Sequence, residues 1–284
     1  MRLAAILDRL PLGRWRAPVP QIAAVRLYGV IAPLGPFRSG ISIASLATLL
    51  ERAFALKPLT AVALLVNSPG GSPAQSELIA VRIRAQAAEK KVPVLAFAED
   101  VAASGGYWLA TAADEIYATE TSIIGSIGVI SAGFGLQELI AKLGIERRVH
   151  TSGERKSFLD SFRPENPDDV ARLEAIQREL HEAFKAQVRA RRGTRLVTPD
   201  EALFTGEFWT GRRALELGLV DGIGDMRSVL RRRYGDKVRI RLLGEEKSRL
   251  RRLLGLAAED QVHDAASQII AALEAKAMWG RFGL

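Results

Sequence analysis

The residue with the clearest chemical potential is Ser104, which sits among alanine and glycine in residues 101–108 (VAASGGYW). The apolar run at residues 94–98 predicts a buried parallel strand before it, and residues 107–113 favour a helix after it. Ser104 therefore marks a strand-to-helix junction, where backbone N–H groups point outwards and small neighbours admit a substrate backbone. Capping is the commonest role of a serine at a helix start, so this stretch alone favours a cap over a nucleophile.

A nucleophilic serine needs a neighbour that takes its proton. The sequence has three histidines, of which we predict His150 on a strand and His181 facing solvent on a long charged helix. Lys156, in a glycine-containing loop, is the other candidate base. A lysine acts as a base near neutral pH only where burial or nearby positive charge favours its neutral form. The residues alone leave His150 open and give Lys156 a solvated surface role as its simplest interpretation.

Composition narrows the classes of function. The absence of cysteine excludes disulfides and thiolate chemistry, and no two histidines have metal-ligand spacing, so we predict neither a metal nor a cofactor. The net charge of +8 is concentrated in residues 227–252 without a nucleic-acid-binding motif, so we predict no nucleic-acid partner. Peripheral contact with an anionic membrane stays open beside a solvated surface, and flotation with anionic vesicles at low and high salt tests it.

The start of the chain bears on location. Residues 1–17 mix apolar residues with arginines, are interrupted by Pro11 and Gly13, and lack the cleavage site of a signal peptide. No apolar run approaches the ~20 residues of a membrane-spanning helix. We therefore predict a cytoplasmic protein that can associate with a membrane surface.

Past this tail the chain alternates strands and helices, which predicts an α/β fold: a single domain of mostly parallel sheets flanked by helices. Ligands of such sheets bind at the carboxyl ends of the strands, where both the loop at residues 67–72 and Ser104 fall. This placement raises the nucleophile interpretation of Ser104 above the cap. Strands are expected at residues 21–31, 61–66, 92–98, 115–118, 146–151 and 238–242, with an extended segment at 121–130, and helices at 41–55, 73–89, 136–143, 168–191 and 265–277.

Four motifs then carry a family resemblance: residues 67–71 (NSPGG), 102–107 (AASGGY), 125–129 (GSIGV) and the loop 153–157 (GERKS). In order and spacing they resemble the signal peptide peptidase A (SppA/SohB-like) family of Ser/Lys serine peptidases, which have the Clp-protease/crotonase fold. Residues 209–221 look like the closing signature of that superfamily. The resemblance covers about residues 20–235, so we predict three parts: an amphipathic tail at 1–20, a Ser/Lys peptidase domain at 21–235, and a basic C-terminal extension with a terminal helix at 236–284.

The resemblance also implies roles for individual residues. Ser104 matches the nucleophile, Lys156 the general base, and Ser126 the second serine that positions the lysine amine. The N–H groups of Gly71 and Gly105 match the oxyanion hole. The peptide substrate is expected to lie extended between two edges of the site, whose substrate-binding residues are Gly70, Ser72, Ile127 and Gly128.

The resulting hypothesis is an ATP-independent serine endopeptidase that cleaves signal-peptide-like or unfolded peptides and forms a homo-oligomer. Unlike in the membrane-bound members, we expect no N-terminal spanning helix here, and, as in the short members, we expect one copy of the catalytic domain. Two alternatives remain, a crotonase-type acyl-CoA enzyme and a catalytically silent peptide-binding scaffold at the membrane. A thioester turnover assay discriminates the first, and labelling of Ser104 by a serine-directed probe discriminates the second.

Overall fold

The computed structural model describes residues 19–32, 40–153, 155–244 and 276–283. The expected tail at residues 1–17 and most of the expected helix at 265–277 lie outside this part, although residues 276–280 are helical. The described strands are β1 (Gln21–Tyr28), β2 (Ala61–Ser68), β3 (Val94–Ala103), β4 (Glu115–Ala118), β5 (Ile123–Gly125), β6 (Phe208–Thr210), β7 (Gly222–Ile223) and β8 (Arg239–Leu243). The helices are α1 (Ile43–Phe54), α2 (Pro73–Lys90), α3 (Gly105–Ala110), α4 (Gln137–Lys142), α5 (Pro167–Arg192), α6 (Asp200–Leu203), α7 (Gly211–Glu216) and α8 (Met226–Tyr234).

A single sheet joins these strands in the order β6-β5-β3-β2-β1-β8, while β4 pairs with β3 and β7 pairs with β4. All the pairs are parallel except β5 with β6, which confirms the predicted mostly parallel α/β architecture. Strand β3 is shared, because its residues 95–98 pair with β4 and its residues 101–103 pair with β5. The sheet therefore branches along β3, and Ser104 follows directly at the end of the branch.

The core lies on both faces of the central strands. In β2 the first six residues are all buried, as the apolar run predicts for a strand covered on both sides. One face packs against α1, α2 and α3, and the other packs against α8 through Val229 and Leu230. Small residues such as Ala63 in β2 and Ala96 in β3 are fully buried, which lets the helix layers approach the sheet closely.

A long segment at residues 129–165, which we call the arm, stays largely exposed in its described residues. The strand predicted at residues 146–151 is wrong, since this stretch has no strand and is almost wholly exposed. Its charged residues bond locally instead, Arg147 to Asp160 and Arg148 to Glu146. The extended segment predicted at 121–130 is a strand only over β5. Helix α4, within the arm, has no buried residue.

A buried ion pair ties the end of α5 to the closing segment of the fold. The Arg192 side chain is 2% exposed. Its Nη1 and Nη2 donate to the two carboxylate oxygens of Asp221 at 2.7 and 3.1 Å, and its Nε donates to the Gly218 carbonyl at 2.9 Å. Asp221 also accepts the Ile116 N–H of β4 at 2.7 Å. This network holds α5 rigidly against the sheet.

The same network predicts a pH-dependent stability. Burial raises the pKa of the Asp221 carboxyl, but hydrogen bonds from Arg192 and the Ile116 N–H outweigh it and hold that pKa below its ordinary value. A depressed folded-state pKa stabilises the fold above about pH 4, the pKa of an unfolded aspartate, and this stabilisation is lost as the pH falls through the folded value. We expect Asp221→Ala to lower the free energy of unfolding by roughly 3–5 kcal/mol at pH 7, because Arg192 keeps a buried positive charge without the carboxylate that neutralises it.

Urea unfolding of wild type and Asp221→Ala across pH 7 to 2 measures this effect. The gap in unfolding free energy between the two proteins should be widest at neutral pH and narrow on acidification. A gap of constant size over that range would show that the Asp221 charge does not stabilise the fold.

Candidate active site

Ser104 occupies the N-cap position of α3 but does not act as a cap. Its backbone has φ 52° and ψ −124°, and its side chain makes no capping hydrogen bond. The strained conformation is held by the backbone, since the Ser104 N–H donates to the Gly125 carbonyl at 2.8 Å and its carbonyl accepts the Trp108 N–H at 3.0 Å. Positive φ costs a non-glycine residue energy and concentrates at functional sites. The geometry therefore leaves the Ser104 hydroxyl free for chemistry.

The glycine loop after β2 lies against this serine. A Cβ on Gly70 would stand 2.7 Å from Ser104 Cβ and 3.0 Å from Ser104 Oγ, and a Cβ on Gly71 would stand 2.0 Å from the Ile31 carbonyl oxygen. Both glycines have positive φ, 107° and 141°. The loop is fixed by Ser68, whose buried hydroxyl accepts the Gly70 N–H at 3.2 Å. Only glycine fits at these two positions.

Two backbone N–H groups are available beside the Ser104 hydroxyl. Gly105 begins α3, so its N–H has no acceptor within the helix. The Gly71 nitrogen lies 3.4 Å from where a Cβ of Gly105 would be, so the two glycines are adjacent. No hydrogen bond within the described ranges uses either N–H. Fixed donors of this kind can stabilise the oxyanion of an acyl-transfer intermediate, as predicted for this pair.

Ser126 follows β5 immediately, and the pairing of β5 with β3 brings it to the same end of the sheet as Ser104. It is 4% exposed and has φ 52°, and its N–H donates to the Glu207 carbonyl at 2.7 Å. The preceding residue, Gly125, supplies the carbonyl that holds Ser104. A Cβ on Gly125 would lie 2.8 Å from the Trp209 ring, so the indole packs directly on this backbone. The Ser104 N–H bond to the Gly125 carbonyl therefore joins the predicted nucleophile to the residue just before the predicted second serine.

The structure places Lys156 on the arm, away from the strand ends that carry Ser104 and Ser126. It lies in an exposed turn of the arm, where its backbone N–H donates to the Gly153 carbonyl at 3.3 Å. Within the part of the chain that the structure describes, no hydrogen bond joins Lys156 to Ser104 or Ser126. His150, the other base left open, is exposed on the same arm and is not on a strand. The role of Lys156 stays a prediction.

Ser72 lies in the loop after β2, and Ile127 and Gly128 lie after β5, the two strands on either side of the Ser104 end of β3. The Ser72 N–H donates to the Ile31 carbonyl at 2.7 Å, and its hydroxyl caps α2 by accepting the Gln75 N–H at 3.4 Å. Ile127 is fully buried, whereas Gly128 is half-buried. Substrate binding at these positions stays a prediction.

The prediction that His181 faces solvent is wrong. The residue is half-buried, and its Nε2 lies 3.1 Å from the Ile127 carbonyl oxygen. The spacing of His181, Phe184 and Val188 places them on one face of α5, and the latter two are buried. The helical spacing of these three residues was the signal available in the sequence, but the many charged residues of the same helix obscured it.

Helix α3 is held by hydrogen bonds from its own Tyr107 and from Arg191 just beyond its C-terminal end. The Tyr107 hydroxyl donates to the Leu219 carbonyl at 2.7 Å, and burial raises the pKa of Tyr107, which keeps it a neutral donor. The Arg191 guanidinium donates to the carbonyls of Thr111 and Ala113, both at 2.8 Å. A cation at a helix C-terminus satisfies carbonyls that have no intrahelical partner. The short helix that begins beside Ser104 is thus fixed in place.

Comparison with known proteins gives the family, because residues 86–237 match peptidase family S49. The chain belongs to this family. The predicted SppA/SohB-like resemblance is therefore confirmed. The S49 assignment supports a serine peptidase function, and it does not by itself assign a role to Ser104, Ser126 or Lys156.

Individual relatives agree with the assignment. A Synechocystis protein named as a protease, slr0021, is 34% identical over 205 residues, which cover 70% of this chain and 73% of that protein. A Brucella abortus protein named Na(+)/H(+) antiporter NhaA is 49% identical over 292 residues, 99% of this chain but 39% of that protein. The S49 chain therefore spans less than half the length of this Brucella relative.

A solved structure shows the fold. The membrane-bound stomatin-specific protease 1510-N, in a mutant form, matches with a TM-score of 0.50 at 17% identity, covering 80% of this chain and 99% of that chain. The predicted Clp-protease/crotonase-like fold is thereby confirmed. In the described ranges no helix combines the length and apolar character needed to cross a membrane. The same residues contain no group of three or more His, Cys, Asp or Glu that could hold a metal ion.

Proposed function

We propose that this S49 chain is a serine endopeptidase that cleaves signal-peptide-like or unfolded peptides, without ATP, through an acyl-enzyme on Ser104. The observation that carries the proposal is the uncapped hydroxyl of Ser104 at a strained helix start, beside the N–H groups of Gly71 and Gly105, which make no hydrogen bond to the described residues. A hydroxyl placed for capping alone would bond the first turn of α3. The substrate lies extended, with residues 71–73 on one side and residues 127–129 on the other.

The reaction follows from these groups. The neutral amine of Lys156 takes the proton of the Ser104 hydroxyl, and the oxygen attacks the carbonyl carbon of the scissile peptide bond. The negative oxygen of the tetrahedral intermediate accepts hydrogen bonds from Gly71 and Gly105 N–H. The carbon–nitrogen bond then breaks, and the leaving amine takes the proton from Lys156. The lysine next takes a proton from water, and the water oxygen attacks the ester carbonyl carbon. The bond between that carbon and Ser104 Oγ then breaks, and the lysine returns the proton to Oγ.

A second protomer supplies the lysine in this proposal. Lys156 is exposed on the arm and makes no hydrogen bond to Ser104 in the described residues of its own chain. The arm also exposes apolar side chains that a single chain leaves in water, namely Ile130, Phe134, Leu139, Leu143 and Ile145, each at least 53% exposed. Large exposed apolar groups of this kind indicate a protein contact. We therefore propose a homo-oligomer in which one protomer's arm brings its Lys156 to the Ser104 of a neighbour.

A serine-directed fluorophosphonate probe tests the proposed nucleophile. We expect stoichiometric labelling of the native oligomer, with the adduct on Ser104 by mass spectrometry, because the proposal gives this hydroxyl both an activating base and oxyanion donors. Prior heating above the unfolding temperature should abolish labelling. Labelling of a different serine, or none in the folded protein, would exclude Ser104 as the nucleophile and favour a peptide-binding scaffold.

A further inference from the structure

We propose that His181 is a positioning residue that holds the substrate-binding edge in register with the nucleophile. The proposal rests on the proposed function. It begins with the backbone after β5, where the strand pairing ends at Gly125. Beyond that point Ser126 N–H donates to the Glu207 carbonyl, and Gly128 N–H donates to the Ser126 carbonyl at 3.0 Å. The direction of the edge is set by these few bonds rather than by a strand ladder.

The Ile127 carbonyl is the group that this arrangement leaves to a side chain. Ile127 is fully buried, and a buried carbonyl without a partner is costly. Its partner is His181 Nε2 at 3.1 Å. Since a carbonyl oxygen only accepts, Nε2 carries the proton and donates it. The imidazole therefore fixes the peptide plane between Ile127 and Gly128 from its carbonyl side, while the Gly128 N–H bond to the Ser126 carbonyl holds the other side.

One helix carries both this contact and a contact to the nucleophile helix. His181 belongs to α5, and three residues later Phe184 stacks on Trp108 of α3 with ring centroids 5.0 Å apart. Helix α5 is itself locked to the sheet by the buried Arg192 and Asp221 pair. Beside the Ser104 N–H bond to the Gly125 carbonyl, α5 thus helps to set the distance between the Ser104 helix and the edge at residues 126–128. Loss of the His181 bond frees the edge while leaving the helix in place.

Steady-state kinetics on two substrates separates positioning from a general loss of structure. An extended peptide pairs with the edge, whereas a single-residue ester reaches only the nucleophile and the oxyanion donors. We expect His181→Ala to lower kcat/KM for an extended peptide about tenfold to a hundredfold, as for misplaced substrates, and to change ester hydrolysis far less. His181→Gln should restore most of the peptide activity, because its terminal amide can donate to the same carbonyl.

Glu182→Ala is the matched control, since Glu182 is next in α5, is 63% exposed and pairs with Lys185 on the surface. It should leave both activities and the unfolding temperature unchanged. Equal losses on peptide and ester for His181→Ala, or no recovery with His181→Gln, would overturn the proposal.

Hydrogen exchange gives a readout that needs no catalysis. In His181→Ala the amides of residues 126–129 should exchange faster than in wild type, and His181→Gln should return them to the wild-type rate, because the edge loses and regains its anchor. Unchanged exchange in His181→Ala overturns the positioning role. Slow exchange restored by glutamine in a protein that hydrolyses neither substrate would instead count against the proposed peptidase function while leaving the anchor in place.

Discussion

Ser104→Ala is expected to lower kcat/KM for peptide hydrolysis by roughly ten thousandfold or more, the scale seen when a peptidase loses its nucleophile. The same change should alter the free energy of unfolding by no more than about 0.5 kcal/mol. The reason is specific to this serine, whose hydroxyl makes no capping bond that alanine would remove. Progress curves with an extended peptide, beside urea unfolding of the same preparations, measure both quantities.

Ser42→Ala is the control in the same chain, because it should lower stability and leave hydrolysis unchanged. Ser42 caps α1 through a complete capping box with Ser45 and is buried. Its loss should cost about 1 kcal/mol of stability, while kcat/KM at 25 °C stays at the wild-type value. If Ser104→Ala destabilised the protein as Ser42→Ala does and kept its hydrolysis, Ser104 would be a cap and the peptidase proposal would fail.

The contrast between these two serines also shows what a sequence can and cannot predict here. Apolar runs and their spacing predicted β1, β2 and β3 and the strand-to-helix junction at Ser104, because burial on both faces leaves a strong local pattern. The local pattern of a capping serine and of a nucleophile is the same. The distinction lies in φ at Ser104 and in the packing of Gly70 on its side chain, and Gly70 is far away in the sequence.

The arm and helix α5 show where prediction from the sequence failed. The strand predicted at residues 146–151 would need a neighbouring edge to pair with, but this stretch lies exposed on the arm. Helix α5 was predicted nearly to its ends, while the inward direction of His181 was missed among its charged neighbours. Beyond residue 235, β8 pairs with β1 over five residues, so the sheet includes part of the chain where the family motifs have already faded.

Mixed oligomers test where the lysine comes from. Lys156→Ala and Ser104→Ala should each be nearly inactive alone, since one lacks the base and the other lacks the nucleophile. When the two variants assemble together from equal amounts, a site with Ser104 from one protomer and Lys156 from its neighbour is intact in one combination of four. About a quarter of the wild-type activity should therefore return, as expected for a symmetric assembly with random neighbours.

The activity of the mixture depends on whether Lys156 reaches Ser104 of its own protomer or of a neighbour. If Lys156 reached Ser104 of its own protomer, every site in the mixture would lack one of the two groups and the activity would stay at the level of the separate variants. Differently tagged chains, purified through both tags, ensure that the mixture contains hetero-oligomers. Full activity of Lys156→Ala alone would remove lysine from the mechanism altogether. Recovery of activity on mixing would instead support an arm whose apolar side chains around α4 contact a neighbouring protomer and so bring Lys156 to that protomer's Ser104.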